Sequence, residues 1–219
     1  MPMLPGSAGL PPVTITSRSV LLVEGNDEKG FFEALAKWMH LQIGIDIDLR
    51  LVNGKDNYKD RFQAFLNDPG FHSVKSYGII RDADNSAGNA FKSVQNMLND
   101  FGQPCPAKHA AFACDPENKL KVGIFIMPDN ASKGMLEDLC LQSVQDHPIM
   151  PFVAEYITNV KQKMQSKAPK NESKAKVQTF LAGMKDTVPH LGVAAGKGYW
   201  SFESAAINEL RDFIHELTI

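Results

Sequence analysis

Five carboxylates stand where apolar runs end: Glu24 and Glu28 in VLLVEGNDE, Asp82 and Asp84 in SYGIIRDAD, and Asp129 in KVGIFIMPD. Each run reads as a strand, so three strands deliver acid to one edge of a sheet. In an open α/β sheet that edge, at the carboxyl ends of the strands, is where ligands bind. Carboxylates brought close repel one another and need solvent, a cationic partner, a proton or a metal ion. Hard oxygen donors without His or Cys favour Mg²⁺ or Mn²⁺ over zinc. Such an ion can activate water and stabilise the leaving oxygen of a phosphodiester. Gly25 suits the site, since it permits a tight turn and close backbone approach. A strand end with a solvated acidic turn is the plainer reading of the first stretch.

The elements that must position these acids follow from periodicity. Val20–Val23 is a four-residue apolar run, as expected of a strand buried on both faces. Asn26, Asp27 and Glu28 can open a helix, because Asn and Asp cap helices and acidic side chains suit a first turn. Phe31, Leu35, Trp38, Met39 and Gln42 continue it at helical spacing, with Trp38 expected in the core. Ile47 to Val52 alternates as a half-exposed strand ended by Asn53 and Gly54. A helix over Tyr58 to Leu66 is stopped by Asp68-Pro69-Gly70. The run to Asp84 is followed by a helix after Gly88, a weak strand at Ala110 to Cys114, the run Lys121 to Asp129, and a helix from Ser132 to Val144. From His147 the pattern is helical: Phe152, Tyr156, Ile157 and Val160; then Val177, Phe180, Leu181 and Met184; then Ala206 to Leu217. GKGYW at Gly196 to Trp200 reads as a turn. The expected architecture is α/β, a mainly parallel open sheet flanked by helices, with residues 1–15 a disordered lead-in, 16–145 the sheet domain and 146–219 a helical extension packed on it.

Bulk properties narrow the classes. A chain of 219 residues with 43% hydrophobic content and a formal charge of −2 can bury a full core and needs no staple. Any polyanion must therefore be held by local lysines, and Lys161, Lys163, Lys167 and Lys170 are the candidates within a Lys-rich stretch that also reads as a solvated linker. Three cysteines without CxxC spacing fit a reducing cytosol and give no zinc knuckle. No apolar run approaches the ~20 residues of a membrane span. The opening MPMLPGSAGLPP lacks the basic start and apolar core of a signal peptide.

The sequence resembles a known superfamily. A strand ending in Glu-Gly, an acid four residues later and Asp-x-Asp after a later strand are similar to the Toprim domain shared by topoisomerases, primases and OLD-type nucleases. VEGNDEKGFFEAL, GIIRDADNS and GIFIMPDNASKGMLEDL resemble a small stand-alone Toprim-like family of unknown function over Val20 to Leu139. The resemblance implies that Glu24 is the catalytic or metal-binding acid, Glu28 its partner, and Asp82 and Asp84 metal ligands. Asp129 lies in the PDN segment of that family. No P-loop of the GxxxxGK[ST] type, primase zinc domain or topoisomerase tyrosine domain accompanies these motifs.

The expected function is Mg²⁺- or Mn²⁺-dependent hydrolysis of DNA or RNA in the cytoplasm, with Glu24, Asp82 and Asp84 converging on one ion. Lys133, in the Ala131 to Gly134 turn, is expected either to contact a substrate phosphate beside Glu24 or to pair with Asp129 or Glu137. Two other readings stay open. One is a binding or regulatory module, in which the edge serves an ion, a second copy or a separate partner protein. The other is a receiver-like phosphoacceptor using Asp82 with Lys133 as its charge partner.

Overall fold

The computed structural model describes residues 14–52, 58–117 and 119–219. The end signal at Asn53 and Gly54, and the lead-in before residue 14, lie outside the described residues. Five strands, β1 (Ser19–Val23), β2 (Asp48–Leu51), β3 (Ser76–Asp82), β4 (Phe112–Cys114) and β5 (Lys121–Met127), form one sheet in the order β2-β1-β3-β5-β4. All neighbours are parallel except β4, which runs antiparallel to β5 at the sheet margin. The chain leaves β1 for β2 on one side and returns to β3 on the other. The strand order thus reverses between β1 and β3, and a crevice opens at their carboxyl ends.

Alternation along the central strands divides the core. Val20, Leu22, Tyr77, Ile79, Val122, Ile124 and Ile126 face α2 (Tyr58–Leu66) and α3 (Ala87–Asp100), which supply Phe62, Phe65, Phe91, Val94 and Leu98. Leu21, Val23, Ile80, Phe125 and Met127 face the other way. There they meet α1 (Asn26–Trp38), α4 (Leu136–Ser143) and α8 (Asn208–Thr218), with α5 (Met150–Met164), α6 (Glu172–Ala182) and α7 (Leu191–Gly196) in the same apolar cluster. The helices beyond residue 146 therefore complete one face of the sheet. Phe213 of α8 lies so close over Gly78 that a Cβ there would meet its ring at 3.0 Å.

Several expectations need correcting. Trp38 is 40% exposed, its ring flanked by Phe202 at 6.3 Å and by the Arg211 guanidinium at 5.2 Å, so a cation takes the place of core packing. The helix expected from Ser132 starts at Leu136, because Gly134 first forms a bridge with Asp84. On α5 the buried residues are Val153 and Ile157, whereas Phe152 and Tyr156 face outward. Helix α7 lies in a glycine- and alanine-rich stretch that carries little helical signal, and Gly196 ends it.

That short helix docks on α1 through paired glycines. A Cβ built on Gly30 would lie 2.9 Å from Gly192 Cα, and one on Gly192 would lie 2.8 Å from the Asp27 carbonyl oxygen. Neither contact can be relieved by turning a side chain. Gly30→Ala is expected to lower stability by about 1–3 kcal/mol through this overpacking. Denaturant unfolding checks it, and an unchanged midpoint would show that the two helices separate freely.

Candidate functional site

The crevice between β1 and β3 is where the acids gather. Residue 24 follows β1 directly, Gly25 caps α1, and Glu28 sits in the first turn of that helix. A Cβ on Gly25 would approach Glu28 Oε2 to 2.8 Å, so the glycine is what lets the Glu28 carboxylate fold back over the turn. Asp82 ends β3 beside Met127 of β5, and its Oδ1 accepts a hydrogen bond from the Leu136 N–H at 3.1 Å. That bond fixes the N-terminus of α4 against the sheet edge and brings in Glu137. Asp138 then closes the first turn of α4, accepting from the Met135 N–H at 2.9 Å and from the Ser173 hydroxyl at 2.5 Å.

Electrostatics reports the crowding. The Asp82 carboxyl is pushed up to about 8, first by burial and then by the charges of Glu24, Glu28 and Glu137, against the opposing Leu136 N–H. Burial also raises the Glu28 carboxyl; a backbone hydrogen bond opposes this, and Glu24, Glu137 and Asp27 add to the rise. Among the described residues two cations offset the charge. Arg81 Nε lies 3.7 Å from Glu24 Oε1 and its guanidinium covers the Tyr58 ring at 4.9 Å. Lys174 Nζ lies 3.6 Å from Glu137 Oε1. Burial and then the charge of Glu24 hold the Tyr58 hydroxyl well above its ordinary range.

The sequence candidates are distributed as follows. Glu24, Glu28 and Asp82 come together at the edge and act on one another. Asp84 follows with a left-handed backbone (φ 50°) and exchanges two backbone hydrogen bonds with Gly134, at 2.8 and 2.9 Å. Asp129 is turned to its own loop, where it accepts from the Ala131 N–H, the Ser132 N–H and the Ser132 hydroxyl. Burial works against its ionisation, but the Ser132 and Ala131 hydrogen bonds prevail and hold its carboxyl below the usual range. Lys133 is exposed and makes no ion pair among the described residues; the lysine at this edge is Lys174. Convergence of Glu24, Asp82 and Asp84 as a ready set of ligands is not found: among the described residues no group of three or more His, Cys, Asp or Glu is gathered closely enough to hold a metal. Glu24 leans toward Arg81 and Asp82 toward Leu136 instead.

Residues that sequence reasoning did not assign to the site are Glu137, Lys174, Arg81 and Tyr58. Arg81 stood inside the GIIRDAD run and could have been read as the counter-charge beside Asp82. Nothing local marked Lys174. Asn130 of the PDN segment has a structural role: its side chain accepts from the Ile126 N–H at 2.7 Å and donates to Glu209 at 2.9 Å, joining the end of β5 to α8. Beside the acids a groove of ≈ 1510 Å³ runs between α1 and α7, lined by Asp27, Glu28, Glu137, Lys174, His190 and Trp38 among others. A ligand of substrate size can therefore reach the edge. Of the four lysines proposed for nucleic acid, Lys161 donates to Glu172 at 2.6 Å, while Lys163, Lys167 and Lys170 are exposed.

The family model that matches the chain spans residues 18–219 and describes a protein of unknown function, DUF3226. The chain belongs to this family. The match runs through the sheet and the C-terminal helices alike, so the helices that supply Lys174 and cover the sheet belong to the DUF3226 unit. Among solved structures, the hypothetical protein PH0156 from Pyrococcus horikoshii OT3 is similar, with a TM-score of 0.55 and 14% identity over 91% of this chain and 92% of that one. That likeness concerns the fold. No curated protein matches the sequence.

The Asp82 environment gives a test of the crowding. Burial, and then the charges of Glu24, Glu28 and Glu137, push its carboxyl from the ordinary 3.8 up to about 8. Folded protein therefore binds more protons than unfolded protein between those values, and stability falls as pH rises through that window. Asp82→Asn removes this loss. The metal-free variant is expected to melt several degrees above wild type at pH 8, on a scale of about 2–4 °C per kcal/mol, and alike below pH 4. Thermal melts at both pH values check it, and equal melting at pH 8 would mean that Asp82 ionises without cost.

Proposed function

We propose that the protein is a metal-dependent phosphodiester hydrolase of Toprim type, acting on DNA or RNA. The observation that carries this reading is the gathering of Glu24, Glu28, Asp82 and Glu137 at the strand-order reversal, where burial and then the three glutamates push the half-buried Asp82 carboxyl up to about 8. An all-oxygen donor set with surplus negative charge fits Mg²⁺ or Mn²⁺ in donor chemistry. Glu24, Glu28, Asp82 and Glu137 would hold the ion, with Asp84 two residues beyond the strand's end. The ion would supply water activation and charge stabilisation at the phosphorus centre.

The chain's own groups have distinct tasks. Asp82 would hold such an ion as the carboxylate and would release its proton to do so, so that binding would strengthen toward higher pH. Arg81 keeps Glu24 at the edge, the Leu136 N–H orients Asp82, and Lys174 restrains Glu137. Lys163, Lys167 and Lys170 offer charge for a substrate backbone, and Lys133 remains available at the exposed turn.

A second reading, a non-catalytic binding module, draws on the same two ion pairs: Arg81 with Glu24 and Lys174 with Glu137 already offset part of the charge. The phosphoacceptor reading pairs Asp82 with Lys133, and Lys133 is exposed and makes no ion pair among the described residues.

Incubation of single- and double-stranded DNA and RNA with Mg²⁺ or Mn²⁺ distinguishes the first two readings. Wild type is expected to cleave at least one of them, Glu24→Gln and Asp82→Asn to lose cleavage while staying folded, and Glu137→Gln to weaken Mn²⁺ binding by about 10–100-fold. Absence of cleavage across all four substrates with both metals would favour the binding module.

A further inference from the structure

Helix α5 presents a face that the fold does not use. Of its 15 residues only Val153 and Ile157 are buried, while Phe152 is 68% and Tyr156 57% exposed. At about 100° per residue, Phe152, Tyr156 and Lys163 fall within an arc of about 40° on one side of the helix. Two aromatic rings one turn apart thus lead along the helix to a lysine.

The chain that continues from this stripe is strongly basic. Residues 161–176 carry six lysines and one acid, Glu172. Glu172 accepts from Lys161 at 2.6 Å and pairs with Lys176 at 2.7 Å; these two hydrogen bonds lower its carboxyl to about 2. Lys163, Lys167 and Lys170 remain exposed and without an ion pair among the described residues. The segment is also anchored at the acid edge. Asn171 Nδ2 contacts Met135 Sδ at 3.5 Å, Ser173 donates to Asp138, and Lys174 meets Glu137, all at the N-terminus of α4.

We propose that the outer face of α5 and the turn that follows form a track for single-stranded nucleic acid that ends at the acid edge. Bases stack on Phe152 and Tyr156, and phosphates lie along Lys163, Lys167 and Lys170. Exposed aromatic rings next to a run of cations is the chemistry that holds single strands, since every base offers a flat face whereas a duplex hides its bases. Charge complementarity selects the occupant: a second copy of this face would oppose lysine to lysine. The cleavage that such a track would serve rests on the hydrolase reading; the binding does not.

Anisotropy of a labelled oligothymidylate, a duplex of equal length and an abasic strand of equal length, measured with full-length protein in EDTA, tests the track without chemistry. The oligothymidylate is expected to bind more tightly than either of the others. Phe152→Ala with Tyr156→Ala should weaken the oligothymidylate roughly 10-fold or more, with the abasic strand unaffected. Replacing Lys163, Lys167 and Lys170 by Gln should weaken both strands and flatten the salt dependence by about 2 in log–log slope. Undiminished oligothymidylate binding by the aromatic variant, or equal affinity for the duplex, would overturn the proposal. So would binding to anionic phospholipid vesicles, lost in the same variants, in place of nucleic acid. Intact binding without cleavage by wild type in Mn²⁺ would leave the track standing and remove the hydrolase. Cleavage unaltered in the aromatic variant would do the reverse.

Discussion

Charge crowded into the crevice between β1 and β3 is the constraint around which the molecule is arranged. Asp82 is half-buried beside Glu24, Glu28 and Glu137, and each of those carboxylates makes its ionisation harder. A sheet edge of this kind is stable only with compensation, because buried ionised groups left unmatched cost several kcal/mol each. Among the described residues the compensation comes from three parts of the chain. Arg81 is on the same strand as Asp82, the Leu136 N–H comes from a helix 54 residues later, and Lys174 comes from the C-terminal helices.

This dependence explains why the C-terminal third is integral to the DUF3226 fold. Helix α8 covers the sheet over Gly78, with the Ser76 hydroxyl donating to the Leu217 carbonyl at 2.6 Å, and α7 is set against α1 through Gly30 and Gly192. Helix α6 faces α4 where Ser173 and Lys174 reach Asp138 and Glu137. The first turns of α1 and α4, which carry Glu28 and Glu137, are thus each braced by a later helix. A site held from both sides in this way keeps its acids together despite their repulsion.

The elements that carry the acids were legible because their signals are local. Val20–Val23 and the Lys121 run are unbroken apolar stretches, and both are strands within a residue or two of where the sequence puts them; the mainly parallel α/β architecture follows from their alternation with helices. What escaped was set by tertiary contact. Trp38 has the spacing of a core residue but stacks against Phe202 and Arg211 at the surface. Phe152 and Tyr156 keep helical spacing on a face that nothing among the described residues covers. Glu137 and Lys174 enter the site only because α4 and α6 dock on the edge, and no spacing in the sequence encodes that. Asp129 resembled the other strand-end acids, yet the Ser132 hydroxyl and two backbone N–H groups within its own loop claim its carboxylate.

The central claim is that this acid edge takes up a divalent cation. Anomalous scattering from crystals soaked in Mn²⁺ at pH 8 tests it most directly. The account requires a Mn²⁺ peak bounded by Glu24, Glu28, Asp82 and Glu137, with oxygens at about 2.0–2.2 Å. A peak only elsewhere on the surface, or an edge still closed by Arg81 and Lys174 at saturating Mn²⁺, would contradict it.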